Sequence, residues 1–402
     1  MKKVFIDSVG CTENIVDGAI MKNVALSQGY EPAPSPGEAD LIILNTCAYK
    51  KHQEDLCVDA IKKYERIKKN GAEVVVTGCL VGINKEKLDE EFSGFSFPPS
   101  DLLQIYTAID VPKPDTIEEA HHIPRDISDS EMFGARALLE KIYGVKRFIK
   151  KNTNLSVLPN FNYFDYIGDE ETIYVRISRG CLNSCGYCAI RFAQGKLQSA
   201  PIDSVLSIIR KGIAEGYNKV FLIGTNTSHY GKDIGSTIFE LLDSVQKIDG
   251  EFKVILHNFE PFGVLEDPDS FVRLISSSKM LSLYFPIQSG SQSVLNRMNR
   301  HYDIKDVMKH VRQLKQRNAD VLIRTEFIIG YPGETWKEFF ETVSLCRDFK
   351  FDQIDLHCYS PRPDTQAAKL DGQVKTITKY LRFLMIHSMV FFRTTIRKLR
   401  PI

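Results

Sequence analysis

Cys181, Cys185 and Cys188 stand in the run Arg-Ile-Ser-Arg-Gly-Cys-Leu-Asn-Ser-Cys-Gly-Tyr-Cys (residues 176–188), separated by three and then two residues. Three thiolates in one short loop can hold three irons of a [4Fe–4S] cube, whereas the usual clusters take four protein cysteines. One iron is then left open to a ligand that is not protein. A closed zinc site would need a fourth ligand, and no histidine follows at zinc-like spacing. The preceding residues 171–177 read as a β-branched, aromatic-rich strand running toward Gly180. The cysteine loop therefore falls at the C-terminal end of a strand, where α/β folds place their chemistry.

A second set of cysteines shares that placement. Residues 3–6, 40–44 and 73–76 read as short apolar strands, and residues 13–28 and 52–69 carry helical periodicity between them. Largely apolar strands alternating with helices predict a small parallel sheet covered on both faces. Cys11, Cys47 and Cys79 each follow shortly after one of these strands, and right-handed connections bring all three loops to one edge of the sheet. They form a second trio that is again one ligand short. The alternative is three unrelated buried thiols acting as small hydrophobes.

Composition sets the frame for both trios. A chain of 402 residues is expected to form two or three domains, and 43% hydrophobic with 26% charged residues is ordinary for a globular protein. Nine cysteines, odd in number and clustered, fit metal-binding thiolates in a reducing compartment better than a disulfide framework. The apolar run after Met1 is too short for a signal peptide, and residues 383–392 are too short to span a bilayer. These readings predict a cytoplasmic protein with no membrane association. A net charge of +1 announces no nucleic-acid binder, although a local basic patch remains compatible with it.

Cys-x3-Cys-x2-Cys with an aromatic before the last cysteine resembles the radical S-adenosylmethionine (SAM) enzymes. Gly10-Cys11…Asn14, Asn45-Thr46-Cys47 and Gly78-Cys79-Leu80 narrow the resemblance to the radical SAM methylthiotransferases. It continues through Arg179-Gly180-Cys181, through residues 286–291 with Leu295, Met298 and Arg300, and through residues 324–335 and 359–365. The resemblance implies two [4Fe–4S] clusters, one held by Cys11, Cys47 and Cys79 and the other by Cys181, Cys185 and Cys188. It also implies SAM as cofactor, a flavodoxin- or ferredoxin-type electron donor, and insertion of a methylthio group at a substrate C–H bond. Family members act on an adenosine in tRNA or on a ribosomal-protein side chain. Residues 1–93 then form the amino-terminal cluster domain, 94–168 a linker or helical insertion, 169–372 the radical SAM core and 373–402 a helical tail; the chain is expected to be a monomer.

Within the core, strands are predicted at residues 172–177, 219–223, 253–256, 281–285, 321–329 and 353–357, with helices between them. Six β/α units suggest the partial (β/α)6 barrel that the resemblance implies. Tyr187 should lie against the adenine of SAM. Gly224, Thr225 and Asn226 can present backbone to its methionyl amine, Gln288 and Ser289 can reach its ribose or carboxylate, and Gly330 and Tyr331 offer an apolar turn for the adenine. Ordinary βα-loop turn chemistry is the competing explanation for each of these positions. Cys57, Cys346 and Cys358 read as buried thiols, and His257 and His357 as core or rim residues.

The family pattern fails in two places. Gln194-Gly195-Lys196 and Ser199-Ala200-Pro201 stand where arginines are common, and residues after Thr365 read as one helix over 374–400 rather than as the family's all-β TRAM domain. Ile377, Tyr380, Leu381 and Leu384 share helical spacing there, and the basic end suits nucleic acid, an acidic peptide or solvent. Residues 130–151 read as an amphipathic helix, either a strap over the domain seam or a substrate-binding insertion. Near-neutral charge and the missing arginines favour a peptide or protein side chain as substrate, with a tRNA adenosine as the alternative. A one-cluster radical enzyme or a non-catalytic binding protein is the remaining reading.

Overall fold

The computed structural model describes residues 1–116 and 171–399, from residue 391 onward by backbone alone. The helix expected over residues 130–151 lies outside the described residues. Two parallel sheets organise the rest. The first comprises β1 (Lys3–Ser8), β2 (Glu31–Pro32), β3 (Leu41–Thr46), β4 (Glu73–Gly78) and β5 (Ser96–Phe97), in the order β2-β1-β3-β4-β5. Its edge strands are two residues long, too short for any periodicity to announce, and Pro32 suits an edge because it has no N–H to donate. The sheet thus continues past residue 93: β5 pairs with β4, and the short helix Gln104–Ala108 buries Ile105 beside Phe97.

Alternation along β3 and β4 explains the three layers. Ile42, Leu44, Val74 and Val76 face the helix Lys51–Ile67 through Val58, Ile61 and Tyr64, while Leu41, Ile43 and Val75 face Met21, Val24 and Ala25 of the helix Thr12–Ser27.

The second sheet runs β13-β12-β11-β10-β9-β6. Its strands are β6 (Thr172–Arg176), β9 (Lys219–Ile223), β10 (Lys253–Leu256), β11 (Met280–Tyr284), β12 (Leu322–Ile329) and β13 (Gln353–Cys358), all parallel. A small antiparallel ladder, β7 (Ser178–Arg179) with β8 (Gln198–Ser199), braces the cysteine loop between them. Each strand pairs with the next in the chain, which is the expected partial barrel, open between β6 and β13.

That opening is filled by the amino-terminal domain. The helix Thr12–Ser27 presents Ile15, Val16, Ala19 and Ile20 to the inner wall of the barrel, against Tyr174, Phe221, Ile223 and Ile255. Both of its apolar faces are therefore covered, as expected of a helix buried all round. Ile15, Val16 and Ile20 contribute about 1.5–3 kcal/mol each as an upper estimate.

The tail is a helix, Thr376–Leu399, as its periodicity predicts, but Ile377, Tyr380, Leu381 and Leu384 face solvent. Two buried cations decide the orientation: Lys379 Nζ donates to Tyr359 O at 2.8 Å, and Arg382 Nη1 donates to Glu334 Oε2 at 2.7 Å. Among the described residues no helix is long and apolar enough to cross a membrane.

Candidate functional site

Cys11 caps the helix Thr12–Ser27, Cys47 follows β3 directly, and Cys79 opens the short helix Cys79–Ile83 after β4. Asn14 ties the three loops together. Its Nδ2 donates to Val9 O and to Thr46 O, each at 2.8 Å, and its Oδ1 lies 3.8 Å from Cys79 Sγ. Asn45 Nδ2 in turn donates to Asn14 O at 2.6 Å.

Burial, with Glu13 and Cys47 adding to it, pushes the Cys11 thiol up to about 12. Burial and the neighbouring thiols push Cys79 well above its ordinary value. Thiols crowded in this way hold either protons or a metal, since only a metal's charge makes three adjacent thiolates tolerable there. Among the described residues no three His, Cys, Asp or Glu side chains converge on a single ion. A mononuclear site would draw its sulfurs to about 2.3 Å from one centre, whereas a cube seats each thiolate on a different iron, so three thiols that do not converge on one ion are compatible with a cluster.

The second trio is equally constrained. Gly180 has φ +81° and packs so closely that a Cβ there would stand 2.1 Å from Lys196 O. Cys181 Sγ receives Asn183 N at 3.3 Å and Asn226 Nδ2 at 3.6 Å, and Arg300 Nη1 lies 3.7 Å from Cys185 Sγ. Donors aimed at sulfur are the means by which a protein tunes such clusters. Gly186 N donates to Met298 O at 2.9 Å, and Ala367 N donates to Gly186 O at 2.8 Å, so the loop is clipped from two sides. His229 accepts from Leu182 N at 3.3 Å through Nδ1, and burial holds its imidazole down at about 4, hence neutral.

The two trios meet along one seam. Thr225 Oγ1 accepts from Gly180 N at 3.1 Å and donates to Glu13 Oε2 at 3.0 Å, joining the residue before Cys181 to the residue two past Cys11. Asp17, buried on the same helix, accepts from Arg176 Nη2 and Arg179 Nη2, both at 2.6 Å. The helix that Cys79 opens rests on the helix Ile190–Gln194 that follows Cys188. A Cβ on Gly82 would stand 2.5 Å from Ala193 Cα. At the far side, Arg362 pairs with the buried Glu54, and Lys50 Nζ lies 3.0 Å from His357 Nδ1.

The residues expected to contact SAM divide by position. Tyr187 Oη accepts from Arg300 Nη1 at 3.3 Å and packs beside Tyr331. Thr225 and Asn226 touch the cysteine loop as described, and Gly224 O accepts from Asn258 Nδ2 at 3.1 Å. Gln288 donates through Nε2 to Glu326 Oε1 at the barrel rim. By contrast, Ser289 Oγ faces Thr342 of the outer helix Trp336–Asp348 at 3.4 Å. Gly330 N donates to Glu334 Oε2 at 2.8 Å beneath the tail helix, and Tyr331 Oη is spent on Arg297 O at 2.9 Å. Of those three, Tyr331 stands beside the cysteine loop, where a Cβ on Gly186 would meet its Oη at 2.9 Å.

Several polar residues of the seam carry no motif. Glu13 and Asp17, four apart on an otherwise apolar helix stretch, are the one signal that a buried polar contact awaits them. Glu326 is half-buried at the barrel rim; burial pushes its carboxyl up, but His357, Tyr284 and Gln288 outweigh that and hold it at about 2. Cys57 is second to Cys47: its Sγ accepts from Cys47 N at 3.3 Å.

Residues 3–97 match the model described as "Uncharacterized protein family UPF0004", and residues 175–346 match the "Radical SAM superfamily". The "Probable threonylcarbamoyladenosine tRNA methylthiotransferase" of Pyrococcus abyssi is 32% identical, aligned over 92% of this chain and 79% of its own. "Threonylcarbamoyladenosine tRNA methylthiotransferase MtaB" of Thermotoga maritima is 30% identical over 93% and 78%. "Ribosomal protein uS12 methylthiotransferase RimO" of Dictyoglomus thermophilum is 29% identical over 96% and 82%. In fold, the chain is similar to the radical SAM methyltransferase TsrM of Kitasatospora setae, with a TM-score of 0.58 at 13% identity over 92% of this chain and 77% of that one.

Proposed function

This chain belongs to the radical SAM methylthiotransferase family, and from that premise we propose that it places a methylthio group on an adenosine of tRNA that carries a threonylcarbamoyl substituent. It is an enzyme that uses SAM and two [4Fe–4S] clusters. The chemistry these groups supply when bound is homolytic removal of hydrogen from carbon and delivery of a methylthio group to it.

The chain's own residues position that chemistry. Cys11, Cys47 and Cys79 hold one cluster, and Cys181, Cys185 and Cys188 hold the other. Asn226 and Arg300 direct donors at sulfurs of the second loop, and His229 fixes that loop by accepting from Leu182 N. Tyr187, Gly224, Thr225, Asn226 and Gln288 are the positions proposed to face SAM. The seam along the helix Thr12–Ser27 excludes water, since all of residues 12–21 are buried. The observation that carries the reading is the Glu13–Thr225–Gly180 bridge, which sets the two trios on one seam.

The tRNA substrate is supported by relatives at 30% identity or more that are named threonylcarbamoyladenosine tRNA methylthiotransferases. A protein side chain is the second reading, favoured by the net charge of +1. A flavodoxin- or ferredoxin-type donor, a monomeric state and a cytoplasmic setting complete the proposal. The test is to load the full chain with iron and sulfide, supply SAM and reductant, and look by mass spectrometry for a methylthio gain. A gain on threonylcarbamoyladenosine tRNA supports the reading; a gain confined to a ribosomal-protein peptide overturns its substrate.

A further inference from the structure

We propose that Lys50, with Tyr49 beside it, is the residue pair that selects the substrate, Lys50 taking the carboxylate of the threonylcarbamoyl group and Tyr49 offering its ring to the base. This inference rests on the tRNA reading above and adds to it the residues that tell a modified adenosine from a plain one.

Three observations carry it. First, Lys50 is a half-buried ammonium that makes no direct ion pair among the described residues; the nearest carboxylate, Glu326, is linked to it only through His357. Among the described residues its only hydrogen-bond partner is His357 Nδ1 at 3.0 Å, a ring nitrogen rather than a carboxylate. An ammonium has three donors, so two remain for a ligand. Other seam cations have acidic partners: Arg362 has Glu54, and Arg176 and Arg179 share Asp17.

Second, Lys50 lies three residues beyond Cys47, on the loop that crosses from the amino-terminal sheet to the end of β13, where Lys51 N reaches Ser360 Oγ at 3.4 Å. The contacts at β6 and β9 close one flank of the seam, and this loop closes the other. Between them, the inner side of β11–β13 presents Tyr284, Glu326 and His357, the last two only partly covered. A group held by Lys50 is thus held beside the trio that would deliver sulfur.

Third, Tyr49 is 39% exposed although it sits at the seam, and its ring meets His357 edge-on at 5.4 Å with Lys50 Nζ 5.6 Å from its centroid. An exposed aromatic next to a cation suits a purine bearing an anionic arm, since base–aromatic stacking and an ammonium–carboxylate contact act on neighbouring parts of one ligand. The carboxylate of a threonylcarbamoyl group is that arm, and an unmodified adenosine has none.

The test uses the cluster-loaded full chain and three RNA stem-loops that differ at one adenosine: threonylcarbamoylated, its methyl ester, and unmodified. The wild type is expected to bind the first about tenfold to a hundredfold more tightly than the other two, the range of one charge-assisted hydrogen bond. Lys50→Met is expected to erase that preference, Lys50→Arg to keep part of it, and Tyr49→Leu to weaken all three RNAs alike. Iron content and the thermal midpoint show whether each variant is folded. A folded Lys50→Met that still prefers the threonylcarbamoylated RNA overturns the inference while leaving the tRNA reading intact. A wild type that methylthiolates only a peptide overturns both.

Discussion

The carboxylate of Glu13 accepts the hydroxyl proton of Thr225 at 3.0 Å, although 212 residues separate them in the chain. Glu13 belongs to the amino-terminal helix and Thr225 to the loop after β9, so this one bond crosses from one cysteine trio to the other. Burial pushes the Glu13 carboxyl up against the pull of Arg176 and Arg179, which makes its remaining donor valuable.

Thr225→Val removes that donor and the acceptor of Gly180 N together. The expected cost is about 1–3 kcal/mol, the penalty for leaving buried polar groups unmet, read as a lower thermal midpoint. Thr225→Ser restores most of it. Equal midpoints for the valine and serine variants would refute the bridging role.

Asp17→Asn leaves Arg176 and Arg179 buried beside a neutral amide. Breaking one side of a buried ion pair costs about 3–5 kcal/mol, and a urea titration of the full chain is expected to show a loss of unfolding free energy of that size, read as a lower midpoint at unchanged slope. The neighbouring Glu13 compensates only in part: its carboxyl attracts both arginines, but its direct bond to Arg176 is through the backbone oxygen, at 3.3 Å.

Removing either cysteine trio separates their roles. With Cys11, Cys47 and Cys79 all replaced by alanine, about four irons per chain are expected instead of about eight, with 5′-deoxyadenosine still formed. Replacing Cys181, Cys185 and Cys188 likewise leaves about four irons but abolishes 5′-deoxyadenosine. Full iron content after either replacement would refute the assignment.

His257 predicts the pH response of the barrel. It stacks on Tyr284 with ring centroids 4.7 Å apart, and burial, with Arg324 adding to it, pulls its folded value down to about 3. The unfolded chain titrates near pH 6.5, so between about 6.5 and 3 the unfolded state binds a proton that the native state refuses. Stability then falls as pH falls, by about 1.2 kcal/mol between pH 7 and 5.5 from this group alone. His257→Phe is expected to flatten that part of the stability profile, measured by urea midpoints at the two pH values.

Much of this was legible in the residues and some of it could not be. Apolar runs ending in Asn45-Thr46-Cys47 and Thr77-Gly78-Cys79 announce strands and the loops after them, because β-branched residues and glycine constrain the backbone locally. Glu31–Pro32 and Ser96–Phe97 carry no such pattern, since pairing with β1 and β4 is what makes them strands. The tail's periodicity is visible, but which face packs is set by Glu334 and Tyr359 far away in the chain. Asp17 on an apolar stretch hints at a buried polar contact, but its partners, Arg176 and Arg179, lie 159 and 162 residues off and are known only from the fold. Ser289 and Thr225 read alike as polar residues at strand ends, and only the packing of the outer helix turns one of them away from the seam.

The first ten residues of the helix Thr12–Ser27 have no face of their own to give to water. The helix is at once the cover of one sheet and the plug of the other, so neither half of this molecule owns it. A cut anywhere between residues 97 and 171 would divide the polypeptide without producing two self-sufficient pieces: the carboxy-terminal one would carry an oily trough along Tyr174, Phe221 and Ile255 with nothing to fill it. The enzyme is indivisible for a mechanical reason, since the same sixteen-residue rod that closes the barrel also aims the first cysteine.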